Sequence, residues 1–514
     1  EIYTLSLHDA LPIYELLSER RETAYRQYLS HFPFFPFFKE ALSMSSSSSP
    51  VKTEKIGLGG ALGIFGTILL IIVTGRLALG FDVALLLMFC GMFTTVVFCF
   101  RYGYSWDELF DKGVVPMVAR ATGAIMILLT VGPLIAVWMA SGTIPYLIFA
   151  GLKILSPKVF LPAAFLICCL SSCFTGTSWG TAATFGVAFI GIAQGLGVSL
   201  PATAGAIVAG AYFGDKLSPV SDTTVLAAAV AEVEVVDHIR SMLWTTVPAF
   251  LVGLGLYAYA GSHAAGELDL SQVDSIIKAI ETTFRLNPIA LVPPFVVLAL
   301  AYKRYPTLPV LWVAIAVSIP LALLQGYDLS TTIKFMASGP KIATGLEALD
   351  KLLSRGGLAF MSSSVVVVFF AYLFAGQLEC TGTFRILCES LRASFIGNSR
   401  GRFVMSASLT GIMTGLGTGN SYLSEIVPGT MYKDLCDEMN ISRRVLSRTL
   451  EDSGTVVVPL IPWSAAGIYM STVLGVSVAE YAPWAVLCYM GFLTAWFYGF
   501  AGIAIWPSDR KEQA

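Results

Sequence analysis

Residues 159–214 read VFLPAAFLICCLSSCFTGTSWGTAATFGVAFIGIAQGLGVSLPATAGAIVAGAYFG, 56 positions without a charged or histidine side chain. As one α-helix, rising about 1.5 Å per residue, the stretch would far exceed the roughly 30 Å hydrocarbon core of a bilayer. It must therefore turn back at least once. Its interior holds the material for a turn: Thr175-Gly176-Thr177-Ser178-Trp179-Gly180-Thr181, then Gly195-Leu196-Gly197 and Pro201. Backbone freed by such a turn survives in a membrane only where protein buries it or where it lines a wet cavity. A re-entrant hairpin meets that condition; an ordinary helix–loop–helix is the plainer alternative.

Working outward, the same absence of charge recurs over Ile56–Gly75, Val83–Phe100, Ala121–Leu152, Leu286–Tyr302, Pro306–Tyr327, Gly356–Leu378, Phe403–Ser424, Ser453–Ala479 and Tyr481–Ser508. Ser241–Gly266 adds another run, interrupted only by His263. Of 514 residues, 55% are hydrophobic and 13% charged, about half the charge of a soluble domain. The 32 Lys and Arg against 34 Asp and Glu leave a net charge of −2, with no basic footprint for nucleic acid. A soluble enzyme and a disordered chain are excluded with it. Four histidines, no HExxH and no CxxC argue against a catalytic zinc. No P-loop is present to draw on ATP. The nine cysteines lie mostly within apolar runs and read as small buried hydrophobes.

About 35 residues beyond the first Gly/Thr cluster comes Gly214-Asp215-Lys216-Leu217-Ser218-Pro219-Val220-Ser221-Asp222-Thr223-Thr224. Pro219 removes a backbone donor and pushes Ser218 toward extended geometry, so the segment reads as a broken helix. The second half repeats the order. Thr414-Gly415-Leu416-Gly417-Thr418-Gly419-Asn420-Ser421 is followed by Glu451-Asp452-Ser453-Gly454-Thr455, with Pro459, Pro462 and Trp463 just beyond. A small polar tip followed by an acidic, proline-broken span, twice, is the pattern of an internally repeated secondary transporter. The expected fold is an all-α polytopic membrane protein of about 11–13 membrane segments, in two inverted repeats each with a re-entrant hairpin and a broken helix.

Residues 44–262 form the first repeat in this reading and 286–506 the second, with 263–285 an extramembrane loop and 507–514 a tail. Residues 328–355 read as a further loop. Residues 1–43 break in composition from the rest, and EIYTLSLHDALPI resembles translated sequencing-adapter sequence. Met44 then opens a serine-rich lead with Lys52 and Lys55 ahead of the first apolar run, so residues 1–43 are expected to be foreign to the native protein.

At TGTSWGT (Thr175–Thr181), GDKLSPVSDTT (Gly214–Thr224) and LEDSGTVVVPLIPW (Leu450–Trp463) the chain resembles the NhaC-type sodium/proton antiporters. That family belongs to the ion-transporter superfamily and includes malate/lactate exchangers. WMASGTIP (Trp138–Pro145), LKILSPK (Leu152–Lys158) and LSRGG (Leu353–Gly357) fit as well, and the likeness spans residues 56–506. The resemblance implies an inverted-repeat bundle exchanging Na⁺ for H⁺. Val225 and Ser464 depart from it, standing where such proteins usually carry Asn.

Carboxylates inside membrane segments are costly and mark ion or proton paths. Burial favours the protonated acid and a bound cation the ionised one, so a single carboxylate can hold H⁺ or Na⁺ in turn. Asp222 is the first candidate, with helix capping as its structural alternative. Asp452 is taken as its counterpart in the second repeat. Asp215, beside Lys216, divides between ion pairing and a site role. Thr177, Ser178, Thr418 and Asn420 offer neutral oxygens for a hard cation, although such residues also serve plain helix packing. Sodium is placed at Asp222, Thr177 and Thr418, and Trp179 is a candidate gate. Glu451, Glu425 and Glu379 read as flanking or interfacial charges.

The leading expectation is thus a Na⁺/H⁺ antiporter working by competition for buried carboxylates. An organic-acid exchanger of the same fold, moving malate or lactate with H⁺ and Na⁺, is the second. No nucleophile–base pair supports an intramembrane enzyme, and no cofactor is expected. The implied partners are Na⁺, H⁺ and the lipid bilayer of a bacterial inner membrane, with a homodimer left open.

Overall fold

The computed structural model describes residues 55–264, 270–395, 397 and 399–508, so the expectations for residues 1–43 and for 509–514 of the tail lie outside the described residues. Helices α1 (Leu58–Leu77) and α2 (Val83–Val96) are apolar on every side, and a π turn at Val97–Arg101 extends α2. A short helix at Trp106–Leu109 leads into α3 (Val115–Ala140) and α4 (Thr143–Ile154). Next come α5 (Pro157–Thr175), α6 (Ser178–Gly195, with a π turn at Ala182–Gly186), α7 (Leu200–Leu217), α8 (Asp222–Val230), α9 (Val235–Ala264) and α10 (Leu270–Thr283). The second half continues with α11 (Val292–Tyr302), α12 (Thr307–Leu324), α13 (Leu329–Ser338), α14 (Leu358–Cys380), α15 (Thr383–Phe395), α16 (Arg400–Thr418) and α17 (Ser421–Glu438). It closes with α18 (Arg443–Ser453), α19 (Ala465–Leu474) and α20 (Val486–Ala501).

Seven helices are long and apolar enough to cross a membrane, or nine if each of two bent pairs counts as one span. The shorter apolar helices α4 and α20 bring the described segments to the lower end of the expected range. Two expectations change. The described part of residues 263–285 is largely helix: α10 packs on α4, and Val273–Thr283 with Pro288–Tyr302 makes an apolar pair bent by 98°. Residues 328–355 hold α13 and a helix at Glu347–Leu353, whose Leu349, Leu352 and Leu353 are buried in the core. A run of charge at one face of a short helix hides an apolar face that a charge count does not register.

The repeat is visible in the backbone itself. Gly176 and Gly419 are both left-handed and both end a helix, and Ser199 and Ser442, like Ser221 and Ser464, both stand at helix N-caps. Pro219 and Pro462 match as well, and each of these pairs is separated by 243 positions. Even Glu232, left-handed at φ 55°, aligns with Gly475 at φ 68°. The halves interlock: α14 of the second packs on α2 and α3 of the first, while α12 packs on α3. Gly113 and Gly376 permit this approach, since a Cβ on Gly113 would lie 2.6 Å from the Gly376 carbonyl oxygen. Large apolar side chains remain on the outside, Phe100 at 87% and Ile154 at 79% exposure among them, as lipid contact requires.

Candidate functional site

Two tips and two breaks build the site. At the first tip, Gly176 (φ 65°) closes α5 by donating its N–H to the Ser172 carbonyl at 2.8 Å. Thr177 then caps α6, its hydroxyl accepting the Gly180 amide at 3.3 Å. At the second tip, Gly419 (φ 62°) closes α16 on the Gly415 carbonyl, and the Asn420 side chain accepts the Leu423 amide at 3.1 Å. Left-handed backbone is the reason for glycine at both.

Each tip lies against the break of its own repeat. A Cβ on Gly176 would lie 2.6 Å from Val220 Cγ2 and 3.2 Å from Ser218 Oγ; one on Gly419 would lie 3.1 Å from Ser464 Cα. In the first break, α7 ends at Leu217, Ser218 is extended, and α8 starts after Ser221. The Thr224 hydroxyl reaches back to the carbonyls of Asp215 and Lys216, at 3.1 and 3.2 Å, which the broken helix leaves open. In the second, α18 passes through Val458–Leu460 to an extended Ile461, and α19 leaves at 48° with Ser464 as its cap. The outgoing half-helix of each repeat then leans on the other repeat, α8 on α17 and α18 and α19 on α6, while α19 also packs on α14 of its own repeat.

Five carboxylates gather where these elements cross. Asp215, Glu425, Glu451 and Asp452 are at most 5% exposed, and Asp222 is half-buried. Asp215 Oδ2 accepts the Ser178 hydroxyl at 2.7 Å and the Ser178 amide at 3.2 Å. The Tyr422 hydroxyl donates to Asp222 Oδ2, and the Thr223 amide to Asp222 Oδ1 at 3.0 Å. The Thr455 hydroxyl donates to Glu425, the Thr223 hydroxyl to Glu451 at 3.4 Å, and the Lys216 ammonium to Asp452. Five buried oxygens of this cluster receive no hydrogen bond from a hydroxyl, amide or ammonium: Asp215 Oδ1, Ser218 Oγ, Glu425 Oε2, Glu451 Oε2 and Asp452 Oδ2. Arg448, also buried, spends hydrogen bonds on the carbonyls of Ser241 and Ala504. With one ion-paired lysine among so many carboxylates, the cluster is electrostatically incomplete without bound cations or protons.

Sequence reasoning named Asp215, Asp222, Ser178 and Asp452, and the structure brings their elements together. It also changes the pairings. Lys216 pairs with Asp452 across the repeats rather than with its neighbour Asp215. Counted in the repeat register, Asp222 aligns with Ala465, so Asp452 is not its counterpart; it lies upstream, on the incoming arm. Asp222 is the first residue of α8 rather than its cap, which is Ser221. The hydroxyls of Thr177 and Thr418 and the amide of Asn420 are used within their own hairpins, Thr418 donating to the Thr414 carbonyl at 2.7 Å. They share no hydrogen bond with Asp222. Among the described residues, no three His, Cys, Asp or Glu side chains converge on one metal position. Trp179 stacks on Tyr469 at 4.3 Å and accepts the Tyr469 hydroxyl on its carbonyl at 2.7 Å. Tyr422 occupies the matching position of the other hairpin and donates its hydroxyl to Asp222 on the other half-helix.

Glu425 and Glu451, read as flanking charges, are fully buried. They ended or adjoined charge-free runs, and a run edge looks like a membrane edge until the helix is known to pack inside protein. One signal in the sequence bears on it: Leu217-x-Pro219-x-Ser221 recurs as Leu460-x-Pro462-x-Ser464, which fixes the register and places Glu451 well inside. Glu379, by contrast, sits partly exposed and pairs with Arg120 at 2.7 and 2.9 Å, as an interfacial charge does.

Comparison with known proteins adds an independent view of this geometry. Residues 47–228 and 210–503 match the Na⁺/H⁺ antiporter family. The Malate-2H(+)/Na(+)-lactate antiporter of Bacillus subtilis (strain 168) is 36% identical over 455 residues, 87% of this chain and 97% of that protein. The Na(+)/H(+) antiporter NhaC of Alkalihalophilus pseudofirmus is 36% identical over 463 residues, 90% of this chain and 98% of its own length. The Arginine/ornithine antiporter ArcD of Halobacterium salinarum is 35% identical, covering 89% of this chain and 95% of that one.

Proposed function

The chain belongs to the Na⁺/H⁺ antiporter family and is a multi-pass integral membrane protein, and on that premise we propose that it exchanges Na⁺ for H⁺ at the first helix break. The observation that carries the reading is the set of buried carboxylates with unpartnered oxygens where the two breaks cross. Asp215 Oδ1 and Ser218 Oγ, beside the Gly176 tip, are the two unpartnered oxygens at the first break. Both are hard ligands suited to Na⁺. Asp222, half-buried one residue beyond the break, is the carboxylate through which the site is loaded. Protons compete for the same oxygens, so sodium entering on one side displaces them toward the other. The two repeats are inverted in the membrane, so that rocking one against the other alternates access. Trp179 and Tyr422, held by opposing half-helices, gate the two approaches.

In this reading Thr177, Thr418 and Asn420 hold the tips in shape, and sodium sits nearer Asp215 than a position shared with Thr177 and Thr418. No cofactor is required. A bacterial inner membrane is the setting.

An organic-acid exchange is the second reading, supported by the likeness to a malate/lactate antiporter. A carboxylate substrate would favour a half-helix N-terminus. That of α8 begins with Asp222, which repels an anion; that of α19 begins with Ala465 and is free of acidic groups. The α19 terminus is therefore the place for it. The test is a proteoliposome assay. A pH gradient is imposed, Na⁺, Li⁺ and K⁺ are added in turn, and recovery is followed with and without malate. Recovery on Na⁺ alone supports the first reading; recovery that needs malate supports the second; no recovery with any addition overturns both.

A further inference from the structure

The side chains of Glu425 on α17 and Glu451 on α18 lie within hydrogen-bonding distance of each other, both fully buried. Each has one oxygen already occupied, Glu425 by the Thr455 hydroxyl and Glu451 by the Thr223 hydroxyl. On each the second oxygen, Oε2, has no other partner. Gly454 closes the remaining space, since a Cβ there would lie 3.0 Å from Glu425 Cγ. Two carboxyl groups in contact in a dry interior cannot both be ionised; one proton between them satisfies both open oxygens at once.

We propose that Glu425 and Glu451 form a proton-sharing site, separate from the sodium ligands at Asp215 and Ser218. The step is simple. An O–H bond on one carboxyl breaks as an O–H bond forms on the other; on release, Glu451 passes its proton to the Thr223 hydroxyl oxygen as that hydroxyl gives up its own proton to the Asp222 carboxylate, which the Thr223 amide holds. The charged and titratable groups facing the pair are Asp222 and Tyr422 at its outer side, Asp215 and Lys216 from α7, and Asp452 and Arg448 along α18. From α9, His238 reaches only Ser447 at 3.0 Å; α16 presents Gly411 and Gly415 to Ser453 and Ser424. Lys216 is ion-paired with Asp452, and Arg448 is hydrogen-bonded to the carbonyls of Ser241 and Ala504, so neither cation bonds the open oxygens of the pair. Sodium arriving at Asp215 then expels that proton by repulsion through the cluster.

The role in transport rests on the antiport reading above; the shared proton itself does not. Infrared difference spectra of the purified full-length protein in lipid, recorded against pH, read it directly. The wild type should show a protonated-carboxyl C=O band that the Glu425→Gln/Glu451→Gln double variant loses. Either single variant should lose it too, because a glutamine amide can donate to the remaining carboxylate and let it ionise. A band unchanged in all three variants overturns the proposal. Proton release on adding Na⁺ to weakly buffered protein is the second readout. Release in the wild type that is lost in Glu425→Gln supports the pair as the proton donor, and undiminished release in that variant contradicts it. If the wild type releases no proton with any cation, the antiport reading fails, and the infrared band still decides whether the pair shares a proton.

Discussion

The two helix breaks share a backbone and differ in chemistry. Leu217-Ser218-Pro219-Val220-Ser221-Asp222 and Leu460-Ile461-Pro462-Trp463-Ser464-Ala465 align in sequence, with proline and a serine cap at matching places. The first keeps an open hydroxyl at Ser218 and a carboxylate at Asp222. The second replaces them with Ile461 and Ala465, and packs the Trp463 ring with its indole N–H on the Leu416 carbonyl at 2.7 Å. Its acidic groups sit upstream instead, at Glu451 and Asp452, where they reach across to α7, α8 and α17. Of the two interruptions, only the first keeps the polar oxygens that the proposed sodium site uses; the second is lined by Ile461, Trp463 and Ala465. Symmetry of the chain is therefore a guide to geometry and a poor guide to which residues do the chemistry.

The comparison can be broken most forcefully at the ion pair joining the two repeats. Lys216→Met leaves Asp452 buried and unpartnered, which should cost about 3–5 kcal/mol. Adding Asp452→Leu should recover most of that loss, and thermal unfolding of the purified protein reads both steps. Failure of the second change to rescue the first would mean that the pair does not link the repeats as described.

The tips sharpen it next. An alanine forced into left-handed backbone costs about 1 kcal/mol, so both Gly176→Ala and Gly419→Ala should lower the unfolding midpoint. Gly176→Ala also drives a methyl against Val220 beside the proposed sodium ligands, so it should impair transport more than Gly419→Ala. Equal transport by the two would show that the tips are interchangeable.

The caps give the smallest effect. The Ser464 hydroxyl accepts the Gly467 amide at 2.9 Å and donates to the Val458 carbonyl at 2.7 Å, so Ser464→Ala should cost about 1 kcal/mol. Ser221 makes no side-chain cap bond; its hydroxyl meets Thr223 at 3.1 Å and also the Asp215 carboxylate. Ser221→Ala should cost less, as unfolding measured side by side will show.

Much of this was legible in the sequence, because bilayer thickness and charge-free runs leave few alternatives. The tip at Gly176, the break at Pro219 and the polar second half followed from that reading. What escaped it was burial of polar helix. Arg443–Ser453 is polar overall, with only a narrow apolar stripe of Val445, Leu446 and Leu450, yet all of it but Arg444 is enclosed by neighbouring helices. A polar helix with one apolar stripe reads as a surface helix, its polar face toward water, so Glu451 looked like a flank. The partner of Lys216 was equally hidden, since Asp452 lies more than two hundred positions away and only folding brings them together.

Sodium-driven proton flux in proteoliposomes of the Asp222→Asn and Asp215→Asn variants tests the central claim most directly. Asparagine keeps the size of each side chain and can accept the amide hydrogen bonds from Thr223 or Ser178, but cannot alternate between a proton and Na⁺. Flux should vanish in both while insertion stays normal, and in the wild type the apparent Na⁺ affinity should fall as pH drops, because protons then hold the shared oxygens. Near-normal flux in both variants, with the same pH dependence, would contradict exchange at the first break.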